Sequence, residues 1–321
     1  MNPNTERYFV PMKILVPCLM LLVVLLASCG RDVLPTSQEA VTVNDVLMQE
    51  AQPYNEYIVN LEIDLYTRIV QGISRINFTN HSTMPLDTIV LRVYLNGLME
   101  INYASIDDET VLHRLEGTYL TLYLEESLAP GMAAQLLLQY SSHIPEAMRD
   151  TGSNEFAMWF GRFLPVLQPS GEEPEPANYQ VTITTPMRYT VAGTGLRTEE
   201  VIEDTDTRIT HFTANMVKDF AFAVSPYFKN AHIATEGGID IHLYYYTRGL
   251  SIDHILDIAK RSMDHFEAHV GVYPFGHVNI VEAGIESGVA AFSQMVFVDI
   301  GQFVYDNYHD FLFAVATAAD F

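Results

Sequence analysis

Cysteine is almost missing from this sequence. Cys18 and Cys29 are the only two, and both lie within the first 29 residues. Residues 30–321 therefore offer no disulfide framework, no thiolate metal site and no cysteine nucleophile. Basic residues are scarce as well: 17 Lys and Arg stand against 40 Asp and Glu, for a formal charge of -23. The first 29 residues carry a net +1, from Arg7 and Lys13 against Glu6, which leaves -24 on the remainder. A surface this acidic repels phosphate backbones, so nucleic acid is not expected as a partner. No internal repeat is visible either. What the chain does have is apolar content: at 49% hydrophobic residues it is no disordered tail. About 290 residues beyond the N-terminal segment suggest one large domain or two smaller ones.

The N-terminus sets the expected compartment. Arg7 and Lys13 precede an almost purely apolar run, Ile14 to Leu26, which is followed by Leu26-Ala27-Ser28-Cys29-Gly30. A basic start, a short apolar run and small residues before a cut describe an export signal. The run is shorter than the roughly 20 residues a spanning helix needs. Leu-Ala-Ser-Cys also resembles the lipobox of bacterial lipoproteins, which implies a lipid on Cys29 as the new N-terminus. An uncleaved N-terminal anchor is the alternative. Both readings put the body outside the cytoplasm, on the cell membrane or outer membrane, with the membrane as its partner.

Residues 30–53 are mostly polar and read as a tether. From Tyr54 the pattern has period two. Tyr57, Val59, Leu61, Ile63 and Leu65 share one face of a half-buried strand. Similar runs at 73–80, 88–95, 119–124, 135–140, 179–185, 189–193, 207–214 and 220–225 alternate with turn-rich pieces. This predicts an antiparallel β-sandwich or saddle over 54–237. The character then changes. Ile239–Tyr246 reads as a strand, and Ser251 as the N-cap of a helix reaching Val270, with an apolar stripe of Ile255, Ala259, Phe266 and Val270. Val278–Val281 and Met295–Ile300 read as buried strands, and Tyr305–Ala319 as a final helix. The expected class is mainly β followed by α+β, with a boundary near 237/238.

Three segments carry a family resemblance. Asp219-Phe220-Ala221-Phe222-Ala223-Val224-Ser225 resembles the end of the N-terminal β domain of aminopeptidase N-like zinc metallopeptidases. Phe266 to Phe275 resembles the helix and turn that open their catalytic domain. Trp159 to Leu167 resembles an aromatic, proline-containing stretch of the β domain. The likeness keeps the same order and spacing from about Tyr54 onward. It implies a β-saddle followed by the beginning of a thermolysin-like catalytic domain in 238–321, with zinc as the family's cofactor and peptides as its ligands. The family's Gly-x-Met-Glu stretch holds the substrate amine through its glutamate. Its H-E-x-x-H helix puts two zinc-binding histidines on one face, beside a glutamate that takes a proton from zinc-bound water.

The sequence departs from both signatures. Val281-Glu282-Ala283 and Gln294 to Asp299 resemble the flanks of the amine-binding stretch. A gapless register sets Gly288-Val289-Ala290-Ala291-Phe292 between them, with Ala291 where the glutamate belongs. A second register through Gly284-Ile285-Glu286 keeps Glu286 as the substrate-binding candidate, but needs an insertion of about five residues before Met295. Further on, Phe313 to Ala316 resembles the lead-in to the zinc motif. Thr317 and Phe321 then stand where its histidines would be, and Ala318 where its base would be. A third ligand would fall past Phe321. No catalytic residue and no metal ligand is therefore assigned, and no cofactor is expected in this chain.

Other constellations take bland readings. His265 and His269 are four apart, but Glu267 occupies the third rather than the second position, so they read as surface histidines. His309-Asp310 reads as a solvated pair. Ser287 and Ser293 lack a nucleophile elbow. The run Glu199–Asp206 lacks a calcium loop's central glycine and reads as an acidic hairpin tip. Tyr244–Tyr246 read as strand aromatics. The chain is thus expected to be the front part of an exported, membrane-anchored aminopeptidase N-like protein, inactive as written. A non-catalytic surface lipoprotein that binds peptides or proteins is the alternative.

Overall fold

The computed structural model describes residues 54–300, apart from 96, 147–149, 169–174, 203–204 and 250. The signal with Cys29, the tether, His309-Asp310, Thr317, Ala318, Phe321 and the 305–319 helix lie outside the described residues. Twenty-one strands and one helix are found among those described. The first eleven are β1 (Glu56–Asp64), β2 (Ile69–Thr79), β3 (Leu86–Arg92), β4 (Met99–Ile106), β5 (Glu109–Thr110), β6 (Leu112–Glu116), β7 (Tyr119–Leu128), β8 (Ala133–His143), β9 (Thr151–Ser153), β10 (Met158–Phe160) and β11 (Val166–Leu167). Then come β12 (Ala177–Pro186), β13 (Thr190–Gly193), β14 (Leu196–Ile202), β15 (Thr207–Val217), β16 (Phe222–Ser225), β17 (Lys229–Ala234) and β18 (Asp240–Tyr245). The helix α1 (Ile252–His269) and the strands β19 (His277–Glu282), β20 (Val289–Phe292) and β21 (Met295–Val298) complete the order.

The strands form one eight-stranded sheet, β14-β15-β12-β1-β2-β8-β4-β5, and two four-stranded sheets, β13-β16-β10-β9 and β11-β3-β7-β6. The period-two reading of β1 is realised: Tyr57, Val59, Leu61 and Ile63 are all buried. They join Leu136, Leu138, Val181, Phe222 and other inward residues in one large apolar cluster between the sheets. Mostly antiparallel pairing matches the expected sandwich, with one exception. β1 and β12 run parallel, Tyr57 beside Tyr179. Parallel neighbours need a long crossover, and here β2 to β11 supply it. The two phenol rings stack at 4.7 Å, and Tyr57 Oη accepts a hydrogen bond from the Leu167 amide at 3.0 Å.

A fourth sheet, β17-β18-β19-β21-β20, is mixed: β18, β19 and β21 run parallel, while β17 and β20 are antiparallel edges. α1 packs on β17 and β18 and closes a second apolar cluster with Ile241, Leu243, Ile280 and Val296. Ser251 does stand at the N-cap, but its side chain makes no capping hydrogen bond. The buried face also differs from the expected stripe. Ile255, Leu256, Ile258, Ala259, Ser262 and Met263 are buried, whereas Phe266 is half-buried and Val270 is 59% exposed. The contact face lies within the first twelve helical residues.

A third apolar cluster joins this sheet to the β layers. Trp159, Ala192, Ala221 and Ala223 meet Tyr244, Val281, Phe292, Met295 and Phe297. Small residues on one side leave room for rings on the other. A Cβ at Gly161 would lie 2.1 Å from Phe292 Cζ, and one at Gly193 would lie 2.8 Å from Phe212. Because Phe292 is only 4% exposed, it has little room to yield. Gly161→Ala is therefore expected to destabilise the fold by roughly 1–3 kcal/mol through overpacking. Urea unfolding checks this, and a Gly161→Ala/Phe292→Leu double variant should recover part of the loss.

Candidate functional site

The site expected from sequence is the β20–β21 hairpin, and its position follows from how its turn is held. The Ser293 amide donates to Asp219 Oδ1 at 2.7 Å, and the Lys218 amide donates to Ser293 Oγ at 3.1 Å. Thr194 Oγ1 donates to the Ser293 carbonyl at 2.9 Å, and Asn279 Nδ2 to the Gly193 carbonyl at 2.8 Å. Thr194 and Asn279 are buried, as are Ser293 and Gln294. Gln294, the second residue of the turn, takes a φ of 57°, in the left-handed region, as the second central residue of a type II turn does. The tightly held turn sets the register: Val289 faces Val298, Ala290 faces Phe297, and Ala291 faces Val296.

Ala291 thus lies on the edge strand, half-buried, with a methyl group and no titratable atom. Glu286 lies outside β20, exposed, in the turn that Ile285 and Gly288 close with a 3.1 Å amide–carbonyl bond. The strands β18, β19 and β21 all point their carboxyl ends toward this region, the usual ligand edge of an open sheet.

Sequence reasoning missed a carboxylate beside it. Glu282 ends β19, is 4% exposed, and accepts hydrogen bonds from the Tyr246 amide at 2.6 Å and the Thr247 amide at 2.9 Å. Thr247 Oγ1 donates to its other oxygen. Tyr246 Oη in turn accepts from Asn154 Nδ2 at 3.1 Å, and its ring stacks on Phe156 at 5.1 Å. Burial pushes the Tyr246 phenol up to about 12, so it remains a neutral hydroxyl. Asn154 and Trp159 also close on Gly284, where a Cβ would approach each to 3.2 Å. This network fixes the loop after β18 against the β9–β10 turn. In the sequence Glu282 stood only as part of the Val281-Glu282-Ala283 flank and as an acidic residue ending an apolar strand, with no role attached. Removing the acceptor in Glu282→Ala would strand three donors, at an expected cost of about 2–4 kcal/mol.

The other histidine and acidic candidates do not converge. His265 and His269 are exposed and stack at 4.2 Å, and His269 Nδ1 lies 2.7 Å from the His265 carbonyl. Among the described residues no group of three or more His, Cys, Asp or Glu side chains is arranged to hold a metal ion. The positions that the resemblance gives to the zinc motif, Thr317, Ala318 and Phe321, lie outside the described residues. Of the acidic run, Glu199 to Ile202 lie on β14 and pair with β15, so these residues are strand rather than hairpin tip. Tyr244–Tyr246 are strand and loop aromatics: Tyr244 faces the third cluster and Tyr246 the Glu282 network.

A second feature was not legible in the sequence. A cleft of about 850 Å³ opens between β14–β15 and the outward face of β18–β19, with His242 and His277 on its wall. Burial, and secondarily the neighbouring His232, holds His242 below the ordinary imidazole range. Burial likewise holds His277 low, against the opposing effect of the Gly195 carbonyl that its ring contacts. A histidine depressed in the folded state stays neutral while its unfolded counterpart protonates. Stability is then full at neutral pH and falls as pH drops from about 6.5 toward the folded value. Urea midpoints at about pH 7.5 and pH 5.5 should show this loss. A His242→Asn/His277→Asn variant should lose less over the same interval.

No protein-family model and no curated protein matches the sequence. Solved structures do match the fold. The M1 zinc metallopeptidase from Deinococcus radiodurans superposes with a TM-score of 0.66 at 15% identity, covering 83% of this chain and 64% of that one. A point variant of that enzyme gives 0.66 at 16% over the same shares. The variant bound to a Tyr-Ser-Ala substrate gives 0.59 at 15%, over 78% of this chain and 60% of that one. This chain thus spans less than two thirds of the length of these enzymes. Its fold is the β-sandwich architecture found in M1 zinc metallopeptidases.

Proposed function

We propose that this protein is an exported, lipid-anchored relative of the M1 zinc metallopeptidases that performs no aminopeptidase chemistry with the residues it carries. The observation that carries the reading is Ala291, a methyl group on the edge strand where the resemblance calls for an amine-binding glutamate. A methyl group accepts no hydrogen bond from an ammonium and offers it no countercharge. Thr317, Ala318 and Phe321 stand at the positions of the zinc-motif histidines and base, and none supplies an imidazole or a carboxylate. The lipid anchor rests on Leu26-Ala27-Ser28-Cys29 after a short apolar run.

Peptide binding without turnover is the second reading. β20 ends its sheet, so among the described residues its outer edge has no strand partner. Val289, Ala290 and Ala291 are half-buried rather than covered. A terminal strand of this kind can accept an extended peptide by backbone pairing.

Two measurements test the proposal. Metal analysis of protein purified without chelator, paired with hydrolysis of aminoacyl anilides, should find neither stoichiometric zinc nor turnover; zinc with turnover overturns it. Cys29→Ala should abolish membrane partitioning and the lipid mass increment. Unchanged mass and partitioning would remove the anchor.

A further inference from the structure

The outward faces of the β layers differ in chemistry. On β1, β2, β8 and β12 of the eight-stranded sheet every aromatic ring points inward, and the outward positions are mostly polar or charged. The sheet β11-β3-β7-β6 is built otherwise. Its register sets Thr88, Tyr123 and Leu112 in one row across β3, β7 and β6, and Arg92, Tyr119 and Glu116 in another. The alternate residues Ile89, Leu91, Leu120 and Leu122 are buried, so both rows face outward. Leu112 is 74% exposed, Tyr119 45% and Tyr123 37%.

Two rings and a leucine side chain on one open sheet face leave apolar area in water, the mark of an interaction surface. The charges on this face nearly cancel. Arg92 lies over the Tyr119 ring at 4.4 Å, Arg114 pairs with Glu116 at 2.5 Å, and Glu125 bounds the Tyr123 end. In a chain of net -23, such a face can approach an anionic lipid surface that repels an acidic one. Its side chains suit a membrane interface: tyrosine has an apolar body and a polar tip, and arginine keeps its guanidinium in water above an apolar stem. The attachment of the body agrees. Tyr57, near the start of β1, bonds the Leu167 amide of β11, and β11 sets Val166 beside Arg92. The chain thus enters the body next to the Arg92–Tyr119 row. Residues 30–53, between Cys29 and Tyr54, can span at most about 80 Å, which lets this face reach the bilayer.

We propose that the outward face of β3, β7 and β6 docks on the lipid bilayer that carries the Cys29 anchor, an inference that rests on that anchor. Tyr119, Tyr123 and Leu112 enter the headgroup region, and Arg92 and Arg114 lie at lipid phosphates. Three side chains alone give weak, reversible binding. A tethered face, however, meets the bilayer at a high effective concentration, so weak contacts suffice. The tether then sets proximity and the face sets orientation, with the polar face of the eight-stranded sheet left to solvent.

The test uses the full lipidated chain on vesicles of phosphatidylethanolamine and phosphatidylglycerol. A fluorescent label is placed at Leu112→Cys or, separately, at Gln71→Cys on the eight-stranded sheet. Cys18 leaves with the signal and Cys29 is blocked by its lipid, so each label has one site. A headgroup-bound quencher is expected to quench the Leu112 label at least about twofold more than the Gln71 label. Tyr119→Ser/Tyr123→Ser should bring the Leu112 label down to the Gln71 level while the chain stays on the vesicles. Equal quenching of the two labels in a chain that carries the lipid mass overturns the docked face and leaves the anchor standing. A chain without the lipid mass overturns both. A Leu112 label shielded without vesicles, and increasingly so with protein concentration, assigns the face to a second copy and overturns the proposal. The labels are compared in otherwise wild-type chains, so a double variant that fails to fold does not decide the outcome.

Discussion

The clamp on the Ser293–Gln294 turn is the constraint on which the rest of the structure depends. Thr194 and the adjacent Lys218 and Asp219 hold one hairpin turn from two separate places in the β layers. Beneath it, Trp159 and the alanines Ala192, Ala221 and Ala223 form a surface that Phe292, Met295 and Phe297 pack against. Hydrogen bonds to a buried turn specify register where apolar contacts alone would permit slippage. A one-residue slip of β20 would turn Phe292 out of the seam and expose it. The same clamp therefore decides which side chain stands at each position of the edge strand. The chemistry of the site follows from a packing contact made elsewhere.

Much of the fold was legible because alternation and burial coincide. β1, β2, β8 and β12 each bury every second residue, as β15 does from Thr210 to Ala214, and their sequences show it. β14 and β17 were missed for the converse reason. Both are edge strands with almost no buried residue, so no apolar period marks them. β20 is four residues, Val-Ala-Ala-Phe, too short for a period to register. The helix was found, but its stripe was drawn too long: burial stops at Met263, while Phe266 is half-buried and Val270 exposed.

The site divides in the same way. Ala291 was reachable because a signature and its flanks lie within one short segment. Glu282 was not, because its role comes from Tyr246 and Thr247, 36 and 35 residues away, which fold back onto it. The cleft was less visible still. Its lining residues Arg197, His242 and His277 share no motif, and only the packing of β14 near a different sheet brings them to one cleft. Local chemistry can be read from local sequence, whereas a cleft assembled from three strands appears only once the strands are paired.

The central claim is that the edge strand lacks a group for a peptide's free amine. It is tested most directly by equilibrium binding of one short peptide in two forms, with its amino terminus free and with it acetylated. A strand that recognises only backbone should bind both with the same affinity, since Ala291 contributes nothing to an ammonium. A preference of about tenfold or more for the free amine, equivalent to about 1.4 kcal/mol, would contradict the account and point to Glu286 as the group that supplies the missing charge.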